Sequence, residues 1–241
     1  MRFIADTHTH TLASGHAHST VMENASAAKA RGLGFLAVTD HACAIPGAPT
    51  ELYFSSLPNT LPSAYGGIHL LTGCEANVID DLGALDLSEC ILKKLDWVIA
   101  SMHTLVLEPM DRERHTKAWL GVVENPEVDV LGHTGDGRYA FDYERVVKAC
   151  AQNGKIVEIN AHSFLARPGS HDNCRAIARC CARHGVRVVV SSDAHFAGSI
   201  GAFEQSVAML EEIGFPEELV LNADLNRFKS YLKQKTGRDF A

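Results

Sequence analysis

The segment Asp6-Thr7-His8-Thr9-His10 closes the first apolar run of the chain. It constrains the fold more than any other feature. In a β-strand, side chains at i and i+2 leave on the same face, so His8 and His10 point together. Two neutral imidazoles converging on one point form a metal-ligand arrangement. The chain then repeats the device. Apolar, β-branched-rich runs at 3–5, 35–39, 69–74, 97–101, 128–131, 156–159 and 186–191 read as seven strands. After them come His8 and His10, Asp40-His41, Glu75, His103, His133, His162 and Asp193-Ala194-His195.

Helical patterns separate most of these runs. Ser19 or Thr20 can cap a helix that stops at Gly32, and further helices are expected at 111–123, 142–153, 173–184, 203–213 and 224–235. Strands alternating with helices imply a parallel sheet joined by right-handed crossovers. Polar residues at strand ends all along the chain favour a β/α barrel, whose C-terminal mouth collects active-site residues. No GxGxxG follows the first strand, which argues against a dinucleotide fold. The segment 43–62 holds four of the eight prolines and is expected to be a lid or rim loop. No linker or second composition zone interrupts residues 1–241, so one domain is expected.

Composition sets the outer limits. The chain is 46% hydrophobic and 21% charged, the profile of an ordinary globular protein with a sizeable core. A net charge of -7 argues against a general nucleic-acid-binding surface. No apolar run is long enough to span a membrane, and no leader pattern opens the chain, so a cytoplasmic location is expected. The seven cysteines are odd in number and include no CxxC, which points to free thiols.

The strand-end pattern resembles the PHP family, the polymerase and histidinol phosphatase domain. The resemblance covers essentially the whole chain. Residues 35–41 (FLAVTDH) and 191–195 (SSDAH) are very like the family's second and last motifs, and residues 163–175 (SFLARPGSHDNCR) are similar to the small bacterial single-domain PHP phosphatases. The resemblance implies a distorted seven-stranded TIM-like barrel, (β/α)7, and a trinuclear metal centre. His8, His10, Glu75 and Asp193 would hold one metal. Glu75, bridging, would hold the second with His103 and His133. His16, His41 and His195 would hold the third.

Three divalent cations, two carboxylates and a bridging hydroxide leave a positive pocket that suits a dianionic phosphate. The nitrogen-rich ligand set suits zinc, and also manganese or iron. The expected reaction is attack of metal-bound hydroxide on a small phosphomonoester. Asp193, Glu75 and His10 form its catalytic core, with Asp193 orienting the water or taking its proton. His18, Arg138, His162 and Arg167 are candidate substrate contacts. Asp40 is a candidate to fix a ligand imidazole, with a helix-cap or turn role as the equal alternative. Competing readings are a phosphodiesterase or 3′–5′ exonuclease, a histidinol-phosphate phosphatase, and a metal-binding protein without turnover. The partner expected is a small phosphorylated substrate; the oligomeric state is open.

Overall fold

The computed structural model describes residues 1–240. Eight strands are present: β1 (Ala5–Asp6), β2 (Phe35–Val38), β3 (Ala64–Tyr65), β4 (Ile68–Asn77), β5 (Trp97–Ser101), β6 (Val130–Leu131), β7 (Ile156–Asn160) and β8 (Val188–Ser191). Among them run helices α1 (Val21–Ala30), α2 (Glu51–Thr60), α3 (Glu89–Leu92), α4 (Arg112–Glu124), α5 (Tyr143–Asn153), α6 (Ser163–Ala166), α7 (Ser170–His184), α8 (Glu204–Glu212) and α9 (Leu225–Thr236). Seven strands pair in parallel in the order β1-β2-β4-β5-β6-β7-β8, while β3 is a short antiparallel addition to β4. Sequence order equals spatial order around a nearly closed barrel.

The helix caps follow from local chemistry. Thr20 and Glu23 form a reciprocal capping box at α1. Asp111, Asp142 and Asp224 accept backbone N–H groups at the starts of α4, α5 and α9. Gly154 and Gly185 end α5 and α7 in left-handed conformation.

The seam between the first and last strands is closed by a side chain. Asn222 donates through Nδ2 to the carbonyls of Ala5 (2.9 Å) and Val190 (2.7 Å), and its Oδ1 accepts the Val190 N–H at 3.1 Å. One amide thus stands in for missing ladder bonds on two strands. Higher up, Thr9 bridges Ala194, and the His10 N–H donates to the Ala194 carbonyl at 2.9 Å.

Period-two alternation divides the seven parallel strands between two cores. Outward residues pack under the helices. Inward residues Ala5, Phe35, Leu71, Trp97, Ile99, Val130, Ile156 and Val189 fill the lower barrel, closed from below by Phe228 and Leu232 of α9. This interior tolerates little extra volume. A Cβ on Gly132 would lie 2.2 Å from Ser101 Oγ, and one on Gly73 would lie 2.6 Å from the Trp97 carbonyl oxygen. Cys74, one residue out of phase with Glu75, packs into the outer core.

Two expectations need correction. The segment 43–62 is not simply a loop, because α2 occupies its second half. Its Phe54 and Leu57 are buried, and this packing outweighs the breaking tendency of Pro58 near the helix end. The first strand lies at Ala5–Asp6 rather than at 3–5, because its pairing with Phe35 and Leu36 sets the register. No helix among the described residues is long and apolar enough to cross a membrane.

Candidate metal centre

Where the inward columns reach the C-terminal mouth, apolar residues give way to titratable ones. Glu75 sits two residues above Gly73 on β4, Glu158 two above Ile156 on β7, and Asp193 lies just beyond β8. Glu75 is completely buried and stands at the middle. His41 Nδ1 lies 2.6 Å from its Oε2. His133 Nε2 lies 2.9 Å and His103 Nε2 3.3 Å from its Oε1. His8 and His10 approach Oε2 through Nε2 at 3.4 and 3.6 Å. Asp193 Oδ1 is 3.1 Å from His10 Nε2. At the rim, His195 and His16 face each other Nε2 to Nε2 at 3.1 Å. All nine residues that the family resemblance implies as ligands, His8, His10, His16, His41, Glu75, His103, His133, Asp193 and His195, lie in one cluster.

Hydrogen-bond donors and acceptors fix which ring nitrogens face inward. The Ser14 hydroxyl donates to the Asp40 carboxylate at 2.7 Å. Ser14 must then accept from His10 Nδ1 at 3.0 Å, which leaves the His10 Nε2 lone pair facing the cluster. Asn77 spends its amide hydrogens on the Ala42 carbonyl and Asp86, so its Oδ1 accepts from His103 Nδ1 at 2.7 Å. His195 Nδ1 donates to the Asp193 carbonyl at 3.0 Å. Glu158 accepts from His8 Nδ1 at 2.6 Å. In each neutral ring Nε2 then carries the lone pair, directed at its neighbours, the usual outer support of a metal-binding imidazole.

Three of these outer partners, Glu158, Ser14 and Asn77, carry no motif that marks them in the sequence. Glu158 is the most consequential. Its Oε1 also accepts from Ser191 Oγ at 2.5 Å, and its Oε2 accepts the His133 N–H at 2.5 Å. It was hidden inside the run Ile156–Asn160, although its alternation with Ile156 and Asn160 on the inner face was a readable signal. Asp40 acts differently from the role considered for it. It accepts from Thr11 N–H, Thr11 Oγ1, Ser14 Oγ and Tyr53 OH, and so reaches His10 through Ser14 rather than binding an imidazole itself.

The backbone bends to deliver two of the cluster residues. His133 (φ 29°) and Asp193 (φ 54°) are the two non-glycine residues at positive φ among those described. This conformation is uncommon outside glycine and gathers at functional sites.

The electrostatics favour added positive charge. Burial pushes the Glu75 carboxyl up, but His8, His103 and His41 outweigh it and hold it well below the usual carboxylate range. Burial raises Asp193 too, and His8 and Arg167 more than reverse this. Burial, helped by the Arg167 guanidinium, pushes the His133 imidazole down to about 4. His8 moves the other way: burial lowers it, but Glu158, Glu75 and Asp193 together raise it well above its ordinary value. Three carboxylates therefore invite a cation at the centre, while most surrounding imidazoles resist protonation.

The donor set fits divalent metal ions. Buried His8 Nε2, His41 Nδ1 and Glu75 Oε2 make no well-formed hydrogen bond, although both ring nitrogens crowd the carboxylate oxygen, at 3.4 and 2.6 Å. Buried polar atoms left unpaired are costly, and here all three face the same cluster. Potential ligand atoms lie within 4.8 Å of one another in three overlapping groups: His8, His10 and Glu75; His41, Glu75 and His103; and His10, His41 and His195. A further group, Glu144, Cys180 and His184, lies on the outside. There the carboxylate is already matched by Lys148 at 3.2 Å and Arg183 at 3.0 Å.

The cluster floors a cavity of about 480 Å³ lined also by His18, Arg138, His162 and Arg167. Arg167 donates through NH1 and NH2 to Asp193 Oδ2, at 3.2 and 3.1 Å. Asn160 Nδ2 reaches the same oxygen at 3.1 Å, which leaves Oδ1 for the cluster. Arg138 instead pairs with Asp136 at 2.7 Å. His18 and His162 are exposed at the rim. The remaining histidines stand apart. His115 is buried with both ring nitrogens bound to backbone, at Met110 N–H and the Ala140 carbonyl.

Residues 6–162 match the PHP domain family. The chain belongs to that family. Its relatives include a probable phosphatase from Acetivibrio thermocellus, 45% identical over 99% of this chain and 98% of the relative. A probable phosphatase from Caldanaerobacter subterraneus is 47% identical over 99% and 94%. Among solved structures, the fold is similar to that of histidinol phosphate phosphatase from Lactococcus lactis, complexed with zinc, L-histidinol and phosphate. That likeness has a TM-score of 0.61 at 17% identity and covers 89% of this chain and 95% of the other. The PHP assignment therefore rests on sequence, and the barrel places its motifs at one mouth.

Proposed function

We propose that this PHP protein is a phosphatase of small phosphomonoesters that works with three divalent cations, with zinc as the first choice. The observation that carries this reading is the crowding of buried ligand atoms without well-formed hydrogen bonds at one place, His8 Nε2, His41 Nδ1 and Glu75 Oε2. The zinc and phosphate in the Lactococcus enzyme, together with the phosphatase names of the relatives, support it. His8, His10, Glu75 and Asp193 would hold one cation. Glu75 would bridge to a second held by His103 and His133, and His16, His41 and His195 would hold the third. Bound divalent cations supply an ionised water near neutral pH and an electrophilic grip on phosphoryl oxygens.

The chain's own residues then have distinct tasks. Glu158, Ser14 and Asn77 keep the Nε2 lone pairs of His8, His10 and His103 turned inward. Asn160 and Arg167 pin Asp193 by Oδ2, so that Oδ1 can orient the attacking water and take its proton. Arg167, His18 and His162 stand on the cavity side where phosphoryl oxygens and the leaving group enter. Leu105, Met102 and Ile45 supply an apolar wall that limits access of water.

The test is hydrolysis of p-nitrophenyl phosphate and bis-p-nitrophenyl phosphate side by side, with zinc-loaded protein and His133→Ala as control. Monoester turnover that disappears in the variant is expected. Preference for the diester would replace this reading with a phosphodiesterase or exonuclease. Silence on both esters with full metal content would leave a metal protein without this turnover.

A further inference from the structure

The two arginines of the cavity are spent differently. Arg167 is committed to the cluster, since both terminal nitrogens bind Asp193 Oδ2 and its side chain is only 12% exposed. Arg138 is held from behind. Its Nε and NH2 donate to the Asp136 carboxylate at 2.9, 3.1 and 2.7 Å. Asp136 is buried, while the Arg138 side chain is 40% exposed on the cavity wall. Among the described residues nothing accepts from Arg138 NH1. The carboxylate thus serves as an anchor: it is almost wholly covered, it fixes the plane of the guanidinium, and it neutralises one edge of it while the other edge stays open to the cavity. A guanidinium already immobilised loses little side-chain freedom on binding an anion.

This anchor also lies outside the metal cluster. Asp136 belongs to none of the three ligand groups, and neither Asp136 nor Arg138 bonds to any cluster side chain. The cavity of about 480 Å³ is much larger than one phosphate group and extends from the cluster to this wall. An anion seated on the cations would leave the free edge of Arg138 unmet.

We propose that Arg138, locked by Asp136, reads a second anionic group of the substrate, so that the favoured substrates are small phosphomonoesters carrying a carboxylate or a further phosphate. The inference rests on the phosphatase reading for the first anion only. Carboxylate and phosphate present the same pair of anionic oxygens to a guanidinium edge.

The test uses zinc-loaded full-length protein and three matched phosphonates titrated by calorimetry: propylphosphonate, 3-phosphonopropanoate and propane-1,3-bisphosphonate. At least one of the two doubly functionalised ligands should bind about tenfold or more tightly than propylphosphonate, the worth of one charge-assisted contact. The one with the larger advantage identifies the second group. Arg138→Gln should reduce that advantage to less than about twofold, and Arg138→Lys, which keeps the charge without the fork, should fall between. The Asp136 carboxylate still accepts the backbone N–H of residue 138, so the turn survives either change. Equal binding of all three ligands, or an advantage that persists in Arg138→Gln, would overturn the inference. The corresponding phosphate esters separate this outcome from the reading beneath it. Selective phosphonate binding without hydrolysis of any ester removes the phosphatase and leaves the second-anion site standing. Hydrolysis of propyl phosphate with no selectivity removes the second-anion site alone.

Discussion

The lower and upper halves of the barrel are built from the same strands and solve opposite problems. Below, Phe35, Trp97, Ile99, Ile156 and Val189 meet Phe228 and Leu232 in a closed apolar layer. Burial there is favourable at every position. Above, the same inward columns continue as Glu75, Glu158, Asp193 and five buried or nearly buried imidazoles. Their burial costs free energy, and three of their atoms are left without a well-formed hydrogen bond. His115 shows that this is not the general fate of a buried histidine here, since both its nitrogens are satisfied by backbone. The lower half provides stability, and the upper half holds polar atoms apart for a cation to join.

That contrast breaks most visibly at Glu75, the carboxylate shared by the proposed cations. Glu75→Gln should lower phosphomonoester turnover by more than about a hundredfold, beyond the loss expected for an outer partner, and remove at least two metals per chain. Metal counting by mass spectrometry alongside turnover checks this. Loss of a single metal would contradict the bridging role.

The lower half should answer in a different quantity. Phe228→Ala should destabilise the protein by about 3–5 kcal/mol in denaturant unfolding, while the metal content of the folded fraction stays unchanged. A metal loss from this variant would show that the halves are not separable.

Glu158 stands at the border and sharpens the comparison. Glu158→Gln should weaken metal affinity about 10–100-fold in a chelator competition, because it frees the His8 tautomer and the His133 backbone. Unchanged affinity would demote Glu158 to packing. The smallest effect is expected from Tyr53→Phe, which removes one of four donors to Asp40. It should cost about 1 kcal/mol of stability and shift metal affinity only a few fold.

The sequence made the upper half legible because the strand period is rigid. Once a run reads as a strand, residues two apart share a face, and the strand-end residues His41, Glu75 and His103 are directed to one mouth. The helix boundaries were legible at Asp142 and Gly154, where a cap and a left-handed stop are encoded locally. What was not legible depends on partners distant in sequence. Asn222 acquires its meaning only when the first and last strands approach, 217 and 32 residues away. Ser14 matters through Asp40, and Asn77 through His103, in pairings that no local pattern announces. The helix α2 was masked by prolines whose local cost is outweighed by burial of Phe54 and Leu57. Glu158 could have been found, since an acid in phase with Ile156 on an inward face has to be paired.

The central claim is that the upper half is completed by cations shared at Glu75. The most direct measurement is anomalous diffraction at the zinc edge from crystals of the zinc-loaded protein. Three peaks around Glu75, each within about 2.0–2.2 Å of imidazole nitrogens, are expected. An upper barrel without peaks, or a single peak away from Glu75, would contradict the account.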